Sequence, residues 1–226
     1  MTVAGRTTLS NRARLFSFLE LVLGGFIVVG HNVFHLLPNE VPILFVLGWL
    51  SLRIRDGGWA ATGLRQPRSW CITIAGACLA AAVLQLGSEF VIGPLVTHVW
   101  PEPQSVSQLF QPETADWKQA LITLLVVWTF AAFGEEMSYR GYLLTRAADL
   151  GGRSSTAWWL AMIVVAILFG FGHYYKGPAG VADSTYSGLV LGSAYLLSGR
   201  NLWTAILAHG ISDTVAVVLV FTGLAS

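Results

Sequence analysis

Ala120-Leu-Ile-Thr-Leu-Leu-Val-Val-Trp-Thr-Phe-Ala-Ala-Phe133 carries no charge and runs directly into Gly134-Glu135-Glu136-Met137-Ser138-Tyr139-Arg140-Gly141. The first stretch reads as a helix in hydrocarbon, where every backbone polar group must be satisfied within its own segment. The second places two carboxylates and an arginine on the same helix. Ionised groups at membrane depth cost about 2.5–3.5 kcal/mol each at a helix centre, so they are usually paired and functional.

The rest of the chain has the same character. Of 226 residues, 54% are hydrophobic and 11% are charged, with 9 Trp and 12 Phe. A soluble domain carries about 25% charge, so the composition indicates an integral membrane protein. A formal charge of +1 gives no reason to expect a nucleic-acid partner. The first apolar stretch is too long for a cleavable signal and reads as a signal anchor. Cys71 and Cys78 are seven apart, about 10 Å along a helix. That is too far for a disulfide, and they read as small packing residues.

Apolar segments near 15–34, 41–54, 71–96, 118–142, 156–175, 184–198 and 201–222 give about seven spans. The second is the shortest, with Pro42 near its start. Seven crossings put Arg6, Arg12, Arg14, Arg53, Arg55, Arg65, Arg68, Arg140, Arg146, Arg153 and Arg200 on one side, 11 of the 13 basic residues. Lys118 and Lys176 remain on the other. The positive-inside rule makes the arginine-rich side cytoplasmic. The expectation is an all-α, polytopic transmembrane helix bundle with a cytoplasmic N-terminus, forming a single integral membrane domain over residues 1–226. The connection from Thr97 to Trp117, with three prolines and three acids, reads as a solvated outer loop.

Three polar groups stand out. Glu136 and Arg140 are four apart on one helix face, acid first, the favourable order for an ion pair. That leaves Glu135 uncompensated on the face of Tyr139. An unpaired carboxylate in low dielectric makes a better general base near neutral pH. The alternative is a salt bridge at a helix end. His173 follows Phe169 by one turn, and His209 precedes Asp213 by one turn. The first also reads as an ordinary interfacial histidine and the second pair as interhelical glue. Glu135 lies roughly 22 Å, and His173 roughly 32 Å, from the turn at 150–152; His209 lies roughly 13 Å from the turn near Arg200. One shared polar site is therefore within reach. Glutamate with two histidines can activate water directly, or hold a metal that does so. His31 and His35 read as surface groups, Glu20 as reaching the interface, and Glu89 as an interhelical partner or a cavity residue.

These tracts resemble the CPBP family of intramembrane proteases, which includes the Rce1-type CAAX prenyl endopeptidases and abortive-infection-like proteins. The family pattern is Glu-Glu-x-x-x-Arg, Phe-x-x-x-His, and His-x-x-x-Asn/Asp. Here it reads Glu135-Glu136-x-x-x-Arg140, Phe169-x-x-x-His173 and His209-x-x-x-Asp213, in order. Gly63-Leu64-Arg65-x-Pro67 is a weaker echo. The similarity covers about residues 118–220.

The resemblance implies an intramembrane endopeptidase acting on a membrane-anchored or lipidated protein or peptide. Glu135 would be the base and His173 would activate or position water. His209 with Asp213 would form an oxyanion pocket, and Glu136 with Arg140 would brace the helix. Tyr139 and Phe169 would support the site. No cofactor is certain; if a metal such as zinc is used, its ligands would be Glu135, His173 and His209. Asp213 stands where CAAX-type members carry Asn, and an ionised Asp cannot donate to an oxyanion. In a bacterium the location would be the plasma membrane. A non-proteolytic immunity or scaffolding partner, and a proton-coupled transporter, are the competing classes.

Overall fold

A computed structural model describes residues 9–100 and 117–223. Arg6 and residues 101–116 of the outer loop expected over 97–117 lie outside the described residues, while 97–99 and 117 are helical. Among the described residues seven long helices follow in order: α1 (Asn11–Asn32), α2 (Glu40–Arg55), α3 (Trp70–Val99), α4 (Trp117–Leu150), α5 (Ser155–Phe171), α6 (Gly177–Leu197) and α7 (Leu202–Phe221). No strand occurs among the described residues.

A short polar residue starts most of them. Ser10, Asn39, Ser69, Ser154 and Asn201 each accept a hydrogen bond from a backbone N–H in the first turn, satisfying a donor that the helix cannot. α6 instead begins at Gly177-Pro178, where the missing proline N–H costs nothing. Each of the seven apolar segments has its helix. By length and composition, however, α1, α3, α4 and α7 qualify as spans. The 155–171 and 174–197 helices qualify together as a pair bent by 57°, making five. α2 is 16 residues, about 24 Å at 1.5 Å per residue, short of a hydrocarbon core of about 30 Å.

Large apolar side chains face outward, among them Phe16, Ile72, Phe90, Trp117 and Leu160. An exposed apolar surface on this scale fits lipid rather than water. Cys71 and Cys78 belong to this outer face, exposed and unbridged, not to the interior packing expected of them. Glu89 is also exposed, in a π-helical turn at Ser88–Ile92. The interior is built around the second half of α4. Met137, Tyr139, Tyr142, Leu143 and Leu144 are buried against α1, α2, α5 and α7.

Beside that core lies a buried charge network. Arg146, fully buried, donates to Asp56 Oδ2 at 2.8 Å, Asp149 Oδ2 at 3.0 Å, Glu20 Oε2 at 3.1 Å and Ser51 Oγ at 3.0 Å. Arg55 donates to Glu20 Oε1 at 2.7 Å and Ser17 Oγ at 2.7 Å. Arg153 donates to Asp149 Oδ1 at 2.5 Å and Asp56 Oδ1 at 2.6 Å. Three guanidinium groups thus face three carboxylates, tying α1, α2 and α4 to the turn before α5. Glu20, expected near the interface, takes part in this network. Burial disfavours the charged form of Asp56, yet Arg153 and Arg146 hold its pKa below the ordinary value. Of the arginines assigned from sequence to one side, Arg55, Arg146 and Arg153 are here paired within the fold.

Gly63, at φ 98°, packs directly against the carbonyl of Arg200, where a Cβ would collide. Its own carbonyl accepts from Leu202 N–H at 3.3 Å. This contact joins the loop before α3 to the turn before α7.

Candidate active site

The backbone of α4 departs from α geometry where the acids lie. Val127–Glu135 and Met137–Leu143 are π-helical, on either side of Glu136. Such widened turns recur at functional sites. The i, i+4 pair nevertheless forms: Arg140 Nη1 donates to Glu136 Oε1 at 2.7 Å. Glu136 is fully buried and Arg140 nearly so. Arg140 also donates through Nη2 to the Gly188 carbonyl of α6 at 3.3 Å, and its guanidinium lies 4.5 Å from the Phe169 ring centre.

α7 contributes His209. Its Nδ1 lies 2.9 Å from the same Glu136 oxygen, and its Nε2 lies 3.4 Å from Asp213 Oδ2. Polar contacts hold this part of α7 in place. Gln85 Nε2 donates to the Ser212 carbonyl at 2.7 Å, and Trp128 Nε1 donates to Thr214 Oγ1 at 3.1 Å.

α5 ends one turn after Phe169. His173 Nδ1 donates to the Phe169 carbonyl at 3.0 Å. A carbonyl can only accept, so Nδ1 carries the hydrogen and Nε2 of the neutral ring is left as an acceptor. Phe169 is the hub: its ring lies 4.8 Å from that of His173, 6.2 Å from His209, and 5.0 Å, edge on, from Tyr139. Gly172 has no room for a side chain, because a Cβ would stand 2.7 Å from the Tyr139 hydroxyl.

Glu135 differs from its neighbour. It is partly accessible, within electrostatic reach of His209, Asp213, Glu136 and Glu40. Its Oε2 is buried without a hydrogen-bond partner among the described residues. His173 and Asp213 are also partly accessible, whereas Glu136, Arg140 and His209 are closed off. The eight residues singled out in the sequence therefore share one neighbourhood, with an open side and a closed side.

A family model for type II CAAX prenyl endopeptidase Rce1-like proteins matches residues 117–215, the stretch that holds all eight. Over this segment, a little under half of the chain, the sequence is similar to the Rce1-like family. No curated protein and no solved structure matches the chain. The Rce1-like family is one of intramembrane endopeptidases, so a protease is the class of activity for which the site has to account.

Zinc requires several N or O donors turned to one point. Among the described residues no group of three or more His, Cys, Asp or Glu side chains is arranged to hold a metal ion. The set Glu135, His173 and His209 does not gather in this way: His209 Nδ1 is held by Glu136 and His173 Nδ1 by a carbonyl.

Glu40 was missed in the sequence. It is buried, its Oε1 and the Tyr139 hydroxyl both lie beside Gly172, and its Oε2 stands 3.4 Å from His31 Nε2. Following Asn39 at the first position of α2, it reads as a routine acidic helix start. Nothing local announces that α2 begins beside the site. His31 is correspondingly part of the surroundings of the site, its Nδ1 bonded to the Leu37 carbonyl at 2.9 Å.

Proposed function

We propose that this protein is an intramembrane endopeptidase that hydrolyses a peptide bond of a membrane-anchored or lipidated protein or peptide, with Glu135 as the general base. The observation that carries this reading is the contrast between the two adjacent acids. Each acid keeps a buried, unpartnered Oε2, but Glu136 gives its Oε1 to Arg140 and His209, while among the described residues partly accessible Glu135 makes no hydrogen bond or ion pair.

In this reading Glu135 takes a proton from a water molecule, and the hydroxide attacks the scissile carbonyl carbon. His173, with Nε2 free to accept, orients that water. The developing oxyanion is met by His209. Its Nδ1 is fixed by Glu136, while the 3.4 Å separation from Asp213 is long for a charge-assisted hydrogen bond, normally about 2.7–2.9 Å. The Nε2 hydrogen is therefore loosely held and can turn to the substrate. One such donor contributes about 10²–10³ in rate. Asp213 balances the charge of His209 and need not donate itself. The carbon–nitrogen bond then breaks, and the proton held by Glu135 passes to the leaving amine, so that water and an amide yield an acid and an amine. The arginine-rich helix ends are taken as cytoplasmic, and the chain as one integral membrane domain.

The test compares new protein termini in native membranes between wild type and Glu135→Gln at matched expression. Termini lost in the variant support the reading and identify the substrate. Identical termini, with both proteins folded and inserted, would sink it in favour of a non-proteolytic membrane partner.

A further inference from the structure

Away from the catalytic groups, a cleft of about 1240 Å³ opens between α3, α6 and the start of α7. Its walls are apolar, formed by Ile72, Leu79 and Val83 of α3 and Leu189, Val190 and Leu197 of α6. Its rim carries Arg65, Arg68 and Arg200, all exposed. Among the described residues no carboxylate pairs with these three, whereas Arg55, Arg140, Arg146 and Arg153 are all paired. Arg200 also lies over the Trp158 ring at 4.8 Å, on the neighbouring α5, a contact that leaves its charge uncancelled. The contact of Gly63 with Arg200 sets Arg65 and Arg200 on the same rim.

The depth is also informative. From Ser69 at the rim to Val83 at the far end is 14 residues of α3, about 21 Å. One leaflet with its headgroup zone is about 20–22 Å thick. At Val83 the cleft closes, where the Tyr186 hydroxyl donates to the Val83 carbonyl at 2.6 Å. α6 separates the cleft from the catalytic groups: Gly188 accepts from Arg140 on one side, while Leu189 and Val190 line the cleft on the other.

We infer that the cleft is a binding site for one anionic glycerophospholipid of the leaflet on the arginine-rich side. An acyl chain lies between α3 and α6, and the phosphate is held by Arg65, Arg68 and Arg200. The match is one of charge at the rim and length within. The inference does not depend on the proteolytic reading.

Native mass spectrometry of the full chain released from mixed micelles tests it, with phosphatidylglycerol and phosphatidylcholine of identical acyl chains as probes. Wild type is expected to retain one phosphatidylglycerol with a preference of at least ~10-fold, given about fivefold per arginine near an anionic headgroup. Arg65→Gln/Arg68→Gln/Arg200→Gln should reduce the preference below about twofold, and the corresponding triple Lys variant should keep it. Gly76→Leu, which projects into the cleft, should lose both lipids. Equal retention of the two lipids by wild type would overturn the inference, as would a preference that survives the triple Gln change. Stoichiometric displacement of phosphatidylglycerol by a farnesylated peptide would also overturn it, assigning the cleft to a substrate lipid.

Discussion

His209 reaches across from α7 to set its Nδ1 2.9 Å from Glu136 Oε1, the same oxygen that Arg140 holds at 2.7 Å. One buried carboxylate thereby joins two helices and leaves its neighbour Glu135 unencumbered. Two residues adjacent in sequence thus have opposite tasks.

That division can be measured. Glu136→Ala strands a buried guanidinium and an imidazole and should cost about 3–5 kcal/mol of stability. Glu135→Ala removes no protein partner and should leave the thermal transition nearly unchanged while turnover is lost. Thermal denaturation of both variants in the same detergent reads the difference, and equal transitions would refute the division.

Asp213 is expected to act through His209 and not by donating to substrate. Asp213→Asn keeps an acceptor and should retain activity within about tenfold, whereas Asp213→Ala should lose about 10²-fold or more, the range of a positioned proton-handling group. The loss should fall on kcat with KM little changed. An asparagine variant as impaired as alanine would contradict the orienting role.

Phe169 touches His173, His209, Tyr139 and Arg140, and is buried. Phe169→Ala should therefore cost about 3–5 kcal/mol and depress activity further than the fall in folded protein explains. Phe169→Leu should recover most of the stability without restoring the ring contacts. Comparing turnover per folded molecule separates the two effects.

The charge network gives a prediction in acid. Asp56 has a folded pKa below its unfolded value of about 3.9, so its contribution is complete above that value. It is lost as pH falls through the lower folded pKa. Wild type should keep its thermal transition down to about pH 4 and lose stability below it, and Asp56→Asn should flatten that acid limb. Arg146→Ala should cost about 3–5 kcal/mol at neutral pH by leaving its carboxylates buried and unpaired. A neutral-pH transition unchanged in Arg146→Ala would refute the structural role.

The Glu136–Arg140 and His209–Asp213 pairs were legible because one-turn spacing is a local property, and local geometry survives the π turns. The apolar helices were legible for the same reason. The bond between His209 and Glu136 was not, since it depends on how α7 packs on α4. Glu40 was hidden because an acid after an asparagine cap has a sufficient local explanation. The pairing of Arg55, Arg146 and Arg153 was not legible, since the rule that sorts loops by charge gives their side and not their partners. The bend of 57° between the helices 155–171 and 174–197 was not legible, because hydropathy marks apolar runs and not the angle at which two of them meet.

The widened turns between Val127 and Leu143 make the spacing of this helix a setting as well as a sequence. Each residue of an α-helix advances the direction of its side chain by about 100°. A single-residue deletion near Thr129 would relax the upstream π turn into α form. It would swing the lipid-facing stripe of Trp117–Val126 out of phase with the catalytic half, with every catalytic side chain still present. Homologous segments of unequal length could then keep their chemistry only by moving the surplus residue, which makes the position of the bulge a phase marker to be aligned alongside the acids.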